Sequence, residues 1–321
     1  MLITVVIPTY RRPKLLNRCI EALLLQRFDK TRYEIVVVSD GPDTETQNVV
    51  NAWAGYDHPA VRFIPLTEKK GPAAARNKGW QSAKGDVIAF TDDDCIPDSH
   101  WLGEIARHCK AGETAAITGK VIVPISEEPT DYELNISHLQ TADFITANCA
   151  CTKAALEKAG GFDERFSMAW REDSDLHFKL MRNNIPIEKV KTAIVTHPVR
   201  QAKWGVSIKD QKKTMYDALL YKKYPKLYRK KIQSSPPMLY YGIITAFIIM
   251  LGGLFMQQQS LTAIGAVAWI TLTSYFIFKR LYRTRLSVNH IAEMVVTSVV
   301  IPFLSIFWQW YGAAKYKVLY L

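Results

Sequence analysis

Two runs of 18 residues, Leu239 to Met256 and Leu261 to Phe278, carry no charged side chain and are separated only by "QQQS" (257–260). A helix needs about 20 apolar residues, with a range from ~17, to cross the hydrocarbon core of a bilayer. Each run therefore has the length of a span. A buried hairpin of core helices would read the same way, but two charge-free runs on so short a link favour a transmembrane hairpin over residues 238–278. Its flanks orient it: the basic stretch before the first run and "KRLYRTR" (279–285) after the second belong on the cytoplasmic side, and "QQQS" outside. Residues 279–321 hold a further apolar segment, Ile291 to Gly312, interrupted by Glu293 and Pro302 and followed by Lys315 and Lys317. A span there would put those lysines outside, so the segment reads as interfacial or re-entrant, with a third span as the rival.

The net charge of +11 is unevenly spread. Residues 1–202 hold 25 Lys and Arg against 27 Asp and Glu, residues 203–237 hold 10 against 2, and residues 238–321 hold 6 against 1. Basic residues beside apolar runs suit anionic headgroups rather than nucleic acid. Lys222, Lys223, Lys226, Arg229, Lys230 and Lys231 make residues 203–237 a basic juxtamembrane linker. Cys19, Cys95, Cys109, Cys149 and Cys151 form no C-x-x-C pair, and the odd number argues for reduced thiols. The opening "LITVVIP" is too short for a signal peptide, which places the first domain in the cytosol.

Residues 1–202 alternate Val- and Ile-rich runs with helical patterns. The runs are "LITVVIP" (2–8), "YEIVVVS" (33–39), "VRFIPL" (61–66), "DVIAFT" (86–91) and "AITGKVIV" (116–123). Between the first two, Leu15, Leu16, Cys19, Ile20, Leu23 and Leu24 repeat at helical spacing. Continuous apolar strands joined by amphipathic helices predict an α/β domain with a mostly parallel sheet. Ligands of such sheets bind at the carboxyl ends of the strands. After the first strand come Pro8, Thr9, Tyr10, Arg11 and Arg12; after the second, Ser39, Asp40 and Gly41; after the fourth, the triplet Asp92, Asp93, Asp94. "KKGPAAARNKGW" (69–80) brings Arg76 and Asn77 toward that edge.

Three adjacent carboxylates are costly to bury unless cations answer them. As a helix cap the triplet would need none; beside arginines at a sheet edge it suits a divalent cation, Mn²⁺ or Mg²⁺, holding a phosphate. No GxGxxG follows the first strand and the chain has no GxxxxGK[ST], so the phosphates are held in another way. In "GGFDERFSMAWREDSDLHFKL" (160–180), Glu172, Asp173 and Asp175 open a helix. They either serve the helix dipole or supply a general base.

Four segments, "VVIPTYRRPKLL", "IVVVSDGPDTET", "GPAAARNKGW" with "FTDDDC", and "GGFDERFSMAWREDSDL", together resemble the family 2 glycosyltransferases over about residues 1–200. The resemblance implies a GT-A-type nucleotide-sugar-binding domain. It places Pro8, Thr9 and Arg11 along the nucleotide, Asp40 at the base or ribose, and Arg76, with Asn77 beside it, near the diphosphate. Asp92 and Asp94 match the outer acids of the family's Asp-x-Asp motif, with Asp93 between them among the donor-binding residues. Asp94 is then a metal ligand, and Asp92 lies nearer the ribose or the metal. Asp173 matches the catalytic base, paired with Glu172, and His197 in "VTHPVR" matches a further metal ligand of some GT-A enzymes; a structural hydrogen bond is its other reading. Two departures are a single carboxylate, Asp40, where many members have Asp-Asp-Gly, and the absence of the Gln-x-x-Arg-Trp motif of processive synthases.

The expected protein is thus a multi-pass protein of the cell's inner membrane with a cytoplasmic catalytic domain, an inverting enzyme acting from a nucleotide sugar onto a membrane-associated saccharide or lipid acceptor. The alternatives are a non-catalytic nucleotide-sugar-binding scaffold and a sugar-phosphate nucleotidyltransferase. The latter normally has a Gly-rich loop after the first strand, and "PTYRRPKLL" lacks glycine.

Overall fold

The Val- and Ile-rich runs are strands, and their burial explains their composition. A computed structural model of the chain describes residues 1–55 and 59–319. In it β1 (Ile3–Thr9) and β2 (Tyr33–Ser39) are buried at every position, as strands covered on both faces must be. Between them α1 (Pro13–Leu24) buries Leu16, Cys19, Ile20 and Leu23. The α/β layering continues through α2 (Thr44–Trp53), β3 (Ala60–Pro65), α3 (Pro72–Gln81), β4 (Val87–Phe90), β5 (Ile96–Pro97), α4 (Trp101–His108) and β6 (Ala116–Ile122). After α5 (Asp131–Ser137) come β7 (Cys149–Thr152), α6 (Lys153–Ala159), α7 (Glu172–Arg182) and β8 (Ile187–Thr196).

The eight strands form one sheet in the order β3-β2-β1-β4-β7-β6-β8-β5. The pairs β1/β2, β1/β4, β2/β3 and β6/β8 are parallel, and the pairs β4/β7, β6/β7 and β5/β8 are antiparallel. The mostly parallel α/β sheet expected from the sequence is present. The antiparallel β5 and β7 were not predicted, being only 2 and 4 residues long.

The chain divides into two compact units, Met1–Pro124 with Ser137–Val199, and Ile125–Ile136 with Arg200–Leu321. The segment 125–136, read from sequence as part of the α/β domain, groups with the C-terminal helices. Asp131 Oδ2 lies 2.7 Å from Arg280, and the Arg285 N–H donates to the Pro129 carbonyl at 2.8 Å.

The second unit also contains α8 (Val206–Asp210), α9 (Met215–Lys223), α10 (Pro225–Lys231), α11 (Met238–Phe255), α12 (Gln259–Leu281) and α13 (Val288–Tyr316). Three of these, α11, α12 and α13, are long and apolar enough to cross a membrane. The segment 291–312 runs within α13, a continuous helix of 29 residues that includes Pro302. At 1.5 Å per residue this helix reaches roughly 43 Å, so the rival reading of a third span has the necessary length. Aromatic contacts tie the three together, with Tyr240 on Phe276 at 5.2 Å and Phe247 on Phe303 at 5.2 Å.

Candidate active site

Because β1, β2 and β4 run parallel, their carboxyl ends share one edge, and there the acidic triplet is sent three ways. Asp92 accepts a hydrogen bond from Arg76 at 2.7 Å. Asp93, 2% exposed, accepts from the Thr9 hydroxyl at 2.8 Å and from Arg12 at 3.1 Å. Burial pushes its carboxyl up, and the Arg12 guanidinium opposes that shift. Asp94 lies 3.6 Å from His197 Nε2. The like charges are thus separated onto different cationic or polar partners.

The Asp40 carboxylate accepts from the backbone N–H groups of Lys70 at 2.6 Å and Gly71 at 2.9 Å, which fixes the entry to α3. Gly71 has φ +98°, and a Cβ there would stand 2.4 Å from the Ser167 carbonyl oxygen; only glycine suits both demands. Pro72 then starts the helix, and one turn later Arg76 is 3% exposed. Its guanidinium bridges Asp92 and Glu172, the latter at 3.1 Å. Burial alone would lower its pKa, but the charges of Asp92 and Glu172 raise it, so the cation persists. Asn77 donates to the Phe162 carbonyl at 3.0 Å and to Glu164 at 2.8 Å, and accepts from the Phe162 N–H at 2.9 Å. Its side chain clamps the "GGFDER" loop.

α7 begins behind Arg171, a non-glycine residue at φ +74°. Such strain persists where surrounding structure enforces it and clusters at functional sites. Glu172 is buried and Asp173 half-buried, with Asp173 accepting from the Ser174 N–H at 2.6 Å. Burial and then the neighbouring Asp173 charge push Glu172 up to about 7, against the pull of Arg76. Burial also raises Asp173, against the Ser174 N–H and the charges of Arg171 and Arg76. Both carboxyls of the pair are thus raised from the ordinary carboxylate range.

Asp92, Asp94, Cys95 and His197 each offer one donor atom, all within 4.8 Å of one another. His197 follows β8; its N–H donates to the Ile122 carbonyl at 2.8 Å, and its buried Nδ1 has no hydrogen-bond partner among the described residues. Two carboxylates and an imidazole fit a divalent cation of the Mn²⁺ or Mg²⁺ type. The Cys95 thiol, raised well above its ordinary value by burial and by Asp92 and Asp94, is the soft member of the group.

Arg11 is exposed, at φ +53°, with its guanidinium 5.4 Å from the Tyr10 ring centre, while Pro8 is buried in β1. The partner roles of Arg12, Glu164 and Cys95 were not read from sequence. Two of them carried a signal: Arg12 follows the first strand at the sheet edge, and Cys95 directly follows the triplet.

The profile described as Glycosyl transferase family 2 matches residues 4–166, just over half of the chain. Glycosyltransferase AglE of Haloferax volcanii is 32% identical over 101 residues, which are 31% of this chain and 33% of that protein. The pre-mycofactocin glycosyltransferase of Mycobacterium tuberculosis is 28% identical over 215 residues, 62% of this chain and 43% of that one. The chain thus spans less than half the length of either relative. Among solved structures, the mannosyltransferase PcManGT of Pyrobaculum calidifontis, in complex with GDP-Man and Mn²⁺, superposes with a TM-score of 0.54 at 17% identity, covering 98% of this chain and 86% of its own. At that identity the likeness is one of fold. The chain therefore belongs to glycosyl transferase family 2, with a GT-A-like α/β unit accompanied by three long apolar helices.

Proposed function

We propose that this chain is a membrane-anchored, metal-dependent inverting glycosyltransferase that moves one sugar from a nucleotide sugar to a hydroxyl of a membrane-associated saccharide or lipid. The carrying observation is Arg76, a buried cation between Asp92 of the candidate metal group and Glu172 beside the candidate base. Family membership supports the reaction class, and the GDP-Man and Mn²⁺ held by the fold relative support a nucleotide-sugar donor.

In this reading Asp173 takes the acceptor hydroxyl proton as the oxygen attacks the anomeric carbon, and the diphosphate departs from the opposite face. Arg76 faces the charge that grows on the diphosphate. Glu172 holds Arg76 in place, and Asp40 holds the loop that leads into α3. Asp92, Asp94 and His197 would hold the divalent cation, which when bound supplies further positive charge at the leaving group. Pro8, Thr9, Arg11, Asn77 and Asp93 line or shape the donor side. The basic flanks of α11 and α12 support an inner-membrane location with the α/β unit in the cytoplasm. Anionic lipids then attract the linker lysines.

The test is release of nucleoside diphosphate by the detergent-purified full chain across a panel of nucleotide sugars, with Mn²⁺, Mg²⁺ or chelator. Release from one donor that needs metal and is lost in Asp94→Asn supports the reading. Metal-dependent donor binding without transfer to any acceptor would instead favour a binding scaffold.

A further inference from the structure

β6 and β8 pair in parallel, but their ladder slips: Gly119 faces Val190, whereas the next residue, Lys120, faces Ile194. Lys191 to Ala193 are therefore looped out of register. Bulges of this kind re-aim side chains and recur beside active sites. Asn148, 1% exposed, holds the bulge by donating to the carbonyls of Lys120 and Ala193, both at 2.9 Å, and is itself fixed by the Trp101 indole N–H at 2.8 Å. Gly119 leaves the necessary space, since a Cβ there would lie 2.4 Å from the Ala193 carbonyl oxygen.

Against this bulge is a cavity of about 250 Å³, walled by Leu139 and Ile145 and carrying Gln140, Lys120, Lys189 and Lys191. Among the described residues no acid lines it. Glu188, next to Lys189 in sequence, pairs with His108 of α4 at 2.9 Å, and Thr192 donates to Glu104 of the same helix at 2.6 Å. The alternation of the strand thus sends the neighbouring acid to the α4 side and leaves the lysines on the other. The segment that roofs the cavity continues to Phe144, whose ring stacks on His177 of α7 at 5.4 Å and 17°, one turn beyond Asp173. Lys120 is two residues before Ile122, which receives the His197 N–H; at ~3.3 Å per residue that is about 7 Å along the strand. The elements that wall the cavity thus lead to α7, which opens with the candidate base, and to Ile122, on which His197 is fixed.

We propose that this cavity receives a phosphate group of the acceptor. Its cations are the exposed side chains of Lys120, Lys189 and Lys191 from two strands, and the backbone that carries them is fixed by the buried Asn148, which donates to the Lys120 and Ala193 carbonyls. Whole-ligand pockets occupy ~300–1,000 Å³, so this smaller space fits a phosphate or diphosphate better than a saccharide. The anion site stands on the geometry alone; its assignment to the acceptor rests on the glycosyltransferase reading.

The test is lysine acetylation of the full chain in nanodiscs, read by mass spectrometry in the presence of chelator, with Lys158 as the control. The probes are inorganic pyrophosphate in solution and polyprenyl diphosphate in a phosphatidylcholine bilayer. The expected result is a several-fold loss of reactivity at Lys120, Lys189 and Lys191, with Lys158 unchanged, and loss of the protection of Lys120 in the double variant Lys189→Glu/Lys191→Glu. Protection by pyrophosphate alone assigns the phosphate to a soluble acceptor, and protection by both probes assigns it to a lipid. Absence of protection, or protection of Lys120 that survives in the double variant, overturns the proposal. Nucleoside diphosphate release without protection would remove this site and leave the catalytic reading intact; protection without turnover of any donor would do the reverse.

Discussion

In the α/β unit the buried charge is mostly carboxylate; Arg76 bridges two acids, yet among the described residues its Nε and the His197 Nδ1 are buried without hydrogen-bond partners. In the helical unit the buried charges among the described residues are Arg280 and Asp217, and the contacts of Arg280 go to Asp131 at 2.7 Å, Thr297 at 2.6 Å and Ser298 at 3.1 Å. Among the described residues there, the buried side-chain groups without hydrogen-bond partners, Trp269 Nε1 and the Thr273 hydroxyl, are neutral. A satisfied polar network rigidifies a structure, whereas buried groups left over need a ligand or a functional reason. The two units also differ outside: Phe255, Val267 and Phe278 of the helical unit are 92%, 65% and 65% exposed, as helices facing lipid would be. One unit hides apolar strands and gathers charge at an edge; the other shows apolar surface and pairs its buried arginine.

The contrast breaks most visibly at the base. Asp173→Asn should lower turnover by about 10²- to 10⁴-fold while donor affinity, measured by titration calorimetry, stays near that of the unmodified chain. Near-normal turnover would remove Asp173 from its role. Arg76→Ala leaves Glu172 buried without its cation, which costs about 3–5 kcal/mol in denaturant unfolding, and it also slows turnover. Arg76→Lys should recover little of either, because an ammonium lacks the planar fork that spans two carboxylates.

Arg280→Ala tests the other side of the comparison. Loss of its charge-assisted hydrogen bonds should cost about 1–3 kcal/mol in thermal unfolding of the detergent-solubilised chain. Nucleoside diphosphate release per folded molecule should not change; a drop in that quantity would show that the helical network serves catalysis. The gentlest test is pH. The base works only when deprotonated, so the rate should rise with pH through an acid limb displaced from the ordinary carboxylate range toward neutrality, given that Glu172 sits at about 7 and Asp173 is raised with it. Glu172→Gln removes a like charge from Asp173 and should move that limb to lower pH.

Much of the α/β unit was legible because its strands are buried on both faces and hence read as unbroken apolar runs. β5 and β7 were not, since strands of 2 and 4 residues carry too little pattern to register. The segment 125–136 gave no sign of grouping with the helices, because Asp131 meets its partner 149 positions away. At the site, the sequence singled out the triplet, Arg76 and the Glu172-Asp173 pair. It could not show that Asp93 turns to Thr9 and Arg12, or that Asn77 spends its amide on the loop at Phe162.

From the sequence alone come the elements whose signal is local: the periodicity of the strands and α1, the length of the apolar runs, the basic stretch between them, and the residues that follow each strand. The tertiary structure decided which of those residues meet. Thr9 reaches Asp93 across 84 positions and Arg76 reaches Glu172 across 96, while the slipped register of β6 and β8 brings Lys120, Lys189 and Lys191 to one cavity. Burial pattern is written along a strand or helix a few residues at a time, whereas ion pairing and register depend on how distant segments pack, and no short window of sequence contains both partners.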